Sequence, residues 1–221
     1  MQNVREVSLM FSEFEHLNED KKNNIVNSAI HVFAQKGYKK AATDDIIRLA
    51  GISKGSLFVY FKNKQNLFLY VYDFVLETII NELLNENMTD EKDVLERLKK
   101  FFLAELELMN KYPDMFEFVK MVNTENIPAL SEKISEHNLE KVNQSYAKIF
   151  KNIDQTRFKD DIEIEDALNI IRWTLNGLSD RYRITCKQIP LSQLDFGLTK
   201  EEVNRYFRLF QKLFYKIERI D

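Results

Sequence analysis

Thr43-Asp44-Asp45-Ile46-Ile47-Arg48-Leu49-Ala50-Gly51-Ile52-Ser53-Lys54-Gly55-Ser56-Leu57-Phe58-Val59-Tyr60-Phe61-Lys62-Asn63-Lys64 is the stretch that decides the fold of this chain. Two short apolar-patterned pieces flank a break at Gly51-Ile52-Ser53. Thr43 suits an N-cap, and Asp44 and Asp45 put negative charge in the first turn, where the helix dipole favours it. Ile46, Ile47, Leu49 and Ala50 supply that helix's apolar side, and Gly51 stands where a C′ glycine belongs. Ser53 suits the cap of a second helix, in which Leu57 and Phe61, four apart, share the buried face. Lys54, Ser56, Val59 and Tyr60 then project elsewhere. Two helices joined by a short glycine-containing turn make a helix-turn-helix, whose second helix enters the major groove of DNA.

Charge agrees with that expectation. The chain has 221 residues and a formal charge of −3. Residues 20–66 carry nine Lys/Arg against three Asp, a net of +6, which leaves −9 for the remainder. A basic module on an acidic body is the electrostatic footprint of a nucleic-acid-binding domain joined to a non-binding one. The composition is 44% hydrophobic with five Gly and three Pro, and no run alternates with period two, so the chain is expected to be helical almost throughout. One cysteine, Cys186, excludes an internal disulfide framework and fits a reducing compartment. No run of 18 apolar residues and no signal-peptide pattern is present, so the expected location is cytoplasmic. An enzyme is disfavoured: His16, His31 and His137 lack metal-ligand spacing, Cys186 has no His nearby, and no glycine loop could cradle a phosphate. No catalytic residue, metal or cofactor is expected.

The run Ala50 to Phe61, followed by Lys62-Asn63-Lys64 and Leu67, resembles the DNA-binding domain of the TetR family of transcriptional regulators. Ile25, Ala29, Phe33 and Gly37-Tyr38 match that family's first helix. The resemblance covers residues 20 to 68 and implies an all-α protein. Its expected parts are an N-terminal extension (1–19), a three-helix DNA-binding domain (20–66) and a helical effector-binding and dimerisation domain (67–221). About nine helices are expected, with an extra one in the extension, where 7, 10, 11 and 14 are spaced helically. The first helix should run from Asp20 to Lys36 and end at Gly37.

Beyond Lys64 a fourth helix, apolar nearly all round from Leu67 to Leu76, should be buried on several sides. Further helices are expected over Asp90–Lys111, after Pro113, over Ala129–Asn152 and over Ile162–Ile184. A loop should cover 186–198, and a final helix should start at the Thr199/Glu202 capping box.

The resemblance also implies roles. Thr43, Tyr60 and Lys64 would hold phosphates, with Arg48 and Lys62 as weaker candidates. Lys54, Gly55 and Ser56 would open the recognition helix, and Phe58 and Val59 would touch bases through apolar contact. Phe58 and Val59 stand where the family often has tyrosine and histidine, so hydrogen-bonded reading is lost there. A small, largely apolar effector would be lined by Tyr70, Phe74, Phe102, Met109, Phe116, Met121, Tyr146 and Trp173. A homodimer would form through Ile171, Leu175, Leu178, Tyr206, Phe207, Phe210 and Phe214. The implied function is a dimeric repressor on a pseudo-palindromic double-stranded operator, released by that small molecule. A helical scaffold that has lost specific DNA binding is the alternative.

Overall fold

The structure, a computed structural model, describes residues 11–83, 91–125, 127, 130, 148–188 and 196–216. Among the described residues there are nine α-helices and no strand. These are α1 (Ser12–Glu15), α2 (Glu19–Lys40), α3 (Thr43–Ala50), α4 (Lys54–Phe61), α5 (Lys64–Leu83), α6 (Val94–Lys111), α7 (Pro113–Thr124), α8 (Ile164–Gln188) and α9 (Phe196–Phe214). This is the all-α class expected. The helix anticipated over Ala129–Asn152, Tyr146 included, lies outside the described residues apart from 130 and 148–152. Among the described residues no helix is long and apolar enough to cross a membrane.

The chain divides into two compact units: Met1–Ile79 with Asp114–Leu139, and Ile80–Pro113 with Glu140–Asp221. In the first, Ile25, Val26, Ala29, Ile30 and Phe33 of α2 form the buried stripe, as their spacing requires. Asn18 caps α2 by accepting from the Lys21 amide at 2.9 Å. Gly37 interrupts α2 at φ 72°, and Lys40 ends it three residues later. Gly51 closes α3 in the left-handed conformation, φ 64°, where a Cβ would be strained. Ser53 caps α4, its hydroxyl accepting from the Ser56 amide at 3.1 Å. On α5, Leu67, Phe68, Val71, Tyr72, Val75 and Leu76 are all buried.

Several ends differ from expectation. Ala42, in extended conformation, is the N-cap of α3, and Thr43 is already helical; no side chain caps this end. Leu49, assigned to the apolar side of α3, is 52% exposed, because an eight-residue helix turns only Ile46 and Ala50 fully inward. α6 starts at Val94, since the Asp93 carboxylate takes the amides of Leu95 at 2.9 Å and Glu96 at 3.3 Å. α8 continues to Gln188 and α9 begins at Phe196, so Thr199 lies inside a helix and is not its cap.

The second unit packs α6, α8 and α9 around one core of Leu98, Phe102, Leu106, Ala167, Ile171, Val203 and Phe207. Six of the seven residues expected at a dimer face (Ile171, Leu175, Leu178, Phe207, Phe210 and Phe214) belong to this core, and Tyr206 packs against it half-buried. The strongest periodic stripe of each helix fills its own unit first. What α8 and α9 leave outside is a second apolar set: Ile170, Trp173, Leu209 and Leu213, 44–62% exposed.

Buried charge orders the irregular parts of this unit. Arg97, 1% exposed, donates from Nη1 to the carbonyls of Ile149 (2.7 Å) and Lys151 (2.8 Å), and from Nε to that of Glu91 (2.6 Å). Beside it Asp93 accepts from the Tyr215 hydroxyl at 2.6 Å and from Arg157 at 2.6 Å. Burial, aided by Asp93, pushes the Tyr215 phenol well above its ordinary range. Arg97→Met would leave these carbonyls without their donor. It is expected to cost about 3 kcal/mol or more, read as a clear fall in melting temperature with the helical spectrum retained below it.

Candidate nucleic-acid interface

α3 and α4 form the helix-turn-helix, and α4 is its outward helix. Phe58 is 50% exposed and Val59 60%, two bulky apolar residues in water at the middle of an eight-residue helix. Lys54, Gly55 and Ser56 open that helix, with Lys54 and Gly55 exposed. The α3 N-terminus, with Thr43 as its first residue, has no side-chain cap; of its first-turn amides, that of Asp45 donates to the Ala42 carbonyl at 3.1 Å.

Both acids of the helix-turn-helix, Asp44 and Asp45, are paired. Asp44 faces Lys54 at 3.2 Å. Asp45 takes Lys36 at 2.7 Å and Arg48 at 3.0 Å. The Lys36 hydrogen bond, with help from Arg48, holds the Asp45 carboxyl below its ordinary range. The basic surplus of the domain is therefore not cancelled by free carboxylates on these helices.

Two expected phosphate ligands sit differently from one another. Tyr60, which the sequence pattern points outward, is 9% exposed, its ring edge-on to Phe14 at 5.8 Å. Its burial follows from a neighbour upstream of the motif that spacing within α4 does not reveal. Lys64 opens α5 and lies half-buried, its Nζ 3.5 Å from the Lys39 carbonyl and 4.7 Å from the centre of the Tyr38 ring. Burial lowers its pKa, and Glu125 opposes that in part. Lys62 is exposed with φ 63°, outside the helical region.

Sequence reasoning missed Glu125. From just beyond α7 its carboxylate accepts from two successive backbone amides, Tyr38 at 2.6 Å and Lys39 at 3.0 Å. A Cβ on Gly37 would stand 2.7 Å from Glu125 Oε2, so both the positive φ and the close approach call for glycine here. The other end of α7 meets α2 as well, with Asp114 2.8 Å from His31, and Phe118 packs between Phe33 and Phe68. The connector that carries Lys39, Lys40 and Thr43 is thus held from outside the helix-turn-helix.

The residues expected to line an effector site divide between the two units, with Tyr146 outside the described residues. Tyr70, Phe74, Phe116 and Met121 belong to the first unit; Phe102, Met109 and Trp173 belong to the second. Tyr70 is engaged with Glu15, its hydroxyl donating at 2.8 Å. Phe102 fills the second core, and Trp173 is 62% exposed.

Residues 25–71 match the family model described as bacterial regulatory proteins, tetR family. The HTH-type transcriptional regulator YerO of Bacillus subtilis is 30% identical over 134 residues, covering 60% of this chain and 45% of YerO. The match therefore spans less than half of that relative's length. IcaR of Staphylococcus epidermidis, named as the negative transcriptional regulator of the biofilm operon icaADBC, is 24% identical over 187 residues, 84% of this chain and 92% of IcaR. Among solved structures, the fatty acid degradation regulator FadR of Bacillus halodurans shares the fold with a TM-score of 0.63 at 18% identity, over 86% of this chain and 97% of that one. FadR of Bacillus subtilis, solved with stearoyl-CoA, gives 0.61 at 18% identity, over 85% and 96%.

Replacing Glu125 by Ala removes the acceptor of two amides on the connector. Native-state hydrogen exchange at Tyr38 and Lys39 is expected to speed up by roughly tenfold or more, while exchange in α6 and α9 stays unchanged.

Proposed function

Since the chain belongs to the TetR family of bacterial transcriptional regulators, we propose that it is a cytoplasmic, homodimeric repressor on a pseudo-palindromic operator. Residues 20–66 read the DNA in this proposal, and 67–221 carry dimerisation and effector binding. The observation that carries it is the pair Phe58 and Val59, exposed on a capped helix in a module of net charge +6. Apolar side chains there suit thymine methyls and the floor of the major groove. Thr43 and the uncapped start of α3, together with Lys64, supply the phosphate contacts, with Arg48, Lys54 and Lys62 beside them. Tyr60 contributes by packing.

The dimer face in this proposal is the exposed set on α8 and α9: Ile170, Trp173, Leu209 and Leu213. A second copy of the chain covers it through a two-fold, self-complementary contact. The effector is a small molecule with a large apolar part. Long-chain acyl-CoA is the first class to test, because one structural neighbour was solved with such a ligand.

The deciding experiment is selection of duplexes from a random pool and from DNA flanking the protein's own coding region. An inverted repeat should emerge, with half-sites about one helical turn of ~34–36 Å or a multiple apart. Its affinity should fall about a thousandfold or more between 50 and 200 mM salt, if roughly six or more phosphates are contacted. Lys64→Ala should weaken it by about tenfold and reduce the salt slope. Sequence-blind binding would instead identify a scaffold that no longer recognises an operator.

Trp173→Glu is expected to convert the dimer to monomer in light scattering, with the melting temperature of the second unit little changed, because Trp173 lies outside that core.

A further inference from the structure

A segment upstream of the family-matched residues packs on the recognition helix. Phe11, the N-cap of the four-residue helix α1, and Phe14 within it are 5% and 0% exposed. The Phe14 ring lies 4.8 Å from that of Phe61, 5.1 Å from Tyr70 and 5.8 Å from Tyr60. Phe11 lies 5.6 Å from Phe61 and 5.2 Å from Tyr70. Tyr60 and Phe61 are the last two residues of α4, and Tyr70 is in the second turn of α5. Between them the chain turns at Lys62, φ 63° and ψ −43°, a conformation that L side chains adopt only when their surroundings impose it. The two phenylalanines therefore grip both sides of the turn that aims the recognition helix.

Polar contacts fasten the same segment. Glu15 accepts from the Tyr70 hydroxyl at 2.8 Å, and Lys22 on α2 lies 3.6 Å from the Glu15 carboxylate. Burial first, and Glu15 second, raise the Tyr70 phenol well above its ordinary range, so Tyr70 stays the donor. Neither helix can hold itself. Four residues and eight residues are both below the length at which an isolated helix is stable in water. Each is held by burying rings against the other.

We propose that residues 11–17 are a brace for DNA reading: Phe11 and Phe14 are positioning residues that lock the C-terminal end of α4 and so fix where Phe58 and Val59 meet the bases. This rests on the DNA-reading role proposed above for α4. The segment acts through the helix, which fits its acidic character: it carries Glu13 and Glu15 and no Lys or Arg.

The test uses full-length Phe14→Ala, Phe14→Leu and, as a control truncation in the other core, Leu98→Ala. Affinity for the selected inverted repeat and for a scrambled duplex is measured by fluorescence anisotropy, alongside native-state hydrogen exchange. Phe14→Ala should weaken the inverted repeat by roughly tenfold or more and the scrambled duplex by no more than about threefold, since non-specific binding is mostly phosphate electrostatics. The amides of Leu57 and Lys62, bonded to the carbonyls of Ser53 and Phe58, should exchange faster. Phe14→Leu should restore most of the affinity, and Leu98→Ala should leave it unchanged.

Three results would overturn the brace: unchanged operator affinity in Phe14→Ala, equal loss on both duplexes, or the same loss in Leu98→Ala. If Phe14→Ala does not fold, Phe11→Ala carries the same expectations. A wild-type protein with no preference for any duplex would sink the DNA-reading role instead. Exchange at Leu57 and Lys62 would then still decide whether the segment holds α4.

Discussion

A helix of eight residues has too few hydrogen bonds to stand alone in water, and α4, the outward helix of the helix-turn-helix, is that short. Its persistence depends on burying Leu57, Tyr60 and Phe61 against neighbours while Phe58 and Val59 stay outside. The first unit can be understood as the set of surfaces that meet this need. α3 provides one, through a turn closed by Gly51 in the left-handed conformation. Phe14 of α1 and its N-cap Phe11 provide another, and the buried stripe of α5 continues the same core. Each neighbour is itself fixed by a cap or a ring contact, so the aim of α4 is set by many small constraints acting together.

Electrostatics in this unit serve placement more than stability. Exposed ion pairs such as Asp44–Lys54 contribute little to folding. Their effect is local neutrality among the acids, which leaves the surplus of lysine and arginine to set the sign of the surface. Glu125 does something different. Its carboxylate takes two backbone amides at a glycine that admits it, and so fixes the path between α2 and α3. Hydrogen bonds to an ionised acceptor are among the stronger ones available to a chain, and this pair joins residues 86 and 87 positions apart.

The second unit solves another problem, that of ordering chain between long helices. Arg97 and Asp93 sit side by side, buried, and gather carbonyls, a phenol and a guanidinium from segments that carry little regular structure. With those segments pinned, α8 and α9 present one apolar face to α6 and a second to the outside. The inner face is the stronger stripe; the outer one keeps Ile170, Trp173, Leu209 and Leu213 exposed.

The amino-acid order determined the all-helical class, the helix-turn-helix with its Gly51 stop and Ser53 cap, the buried stripe of α2 and the basic front module. These depend on near neighbours: a capping side chain, a dipole, a repeat of three to four residues. The tertiary structure alone decided the rest. Tyr60 turned inward because Phe14, 46 positions upstream, covers it. Glu125 became part of the connector because α7 lies along α2, and Ile171, Phe207 and their neighbours went to the core, leaving Trp173 and Leu213 outside. Helical periodicity gives the direction of a side chain from its own axis, but which of two apolar directions meets protein and which meets water depends on elements distant in the chain. Only the packing of those elements carries that information.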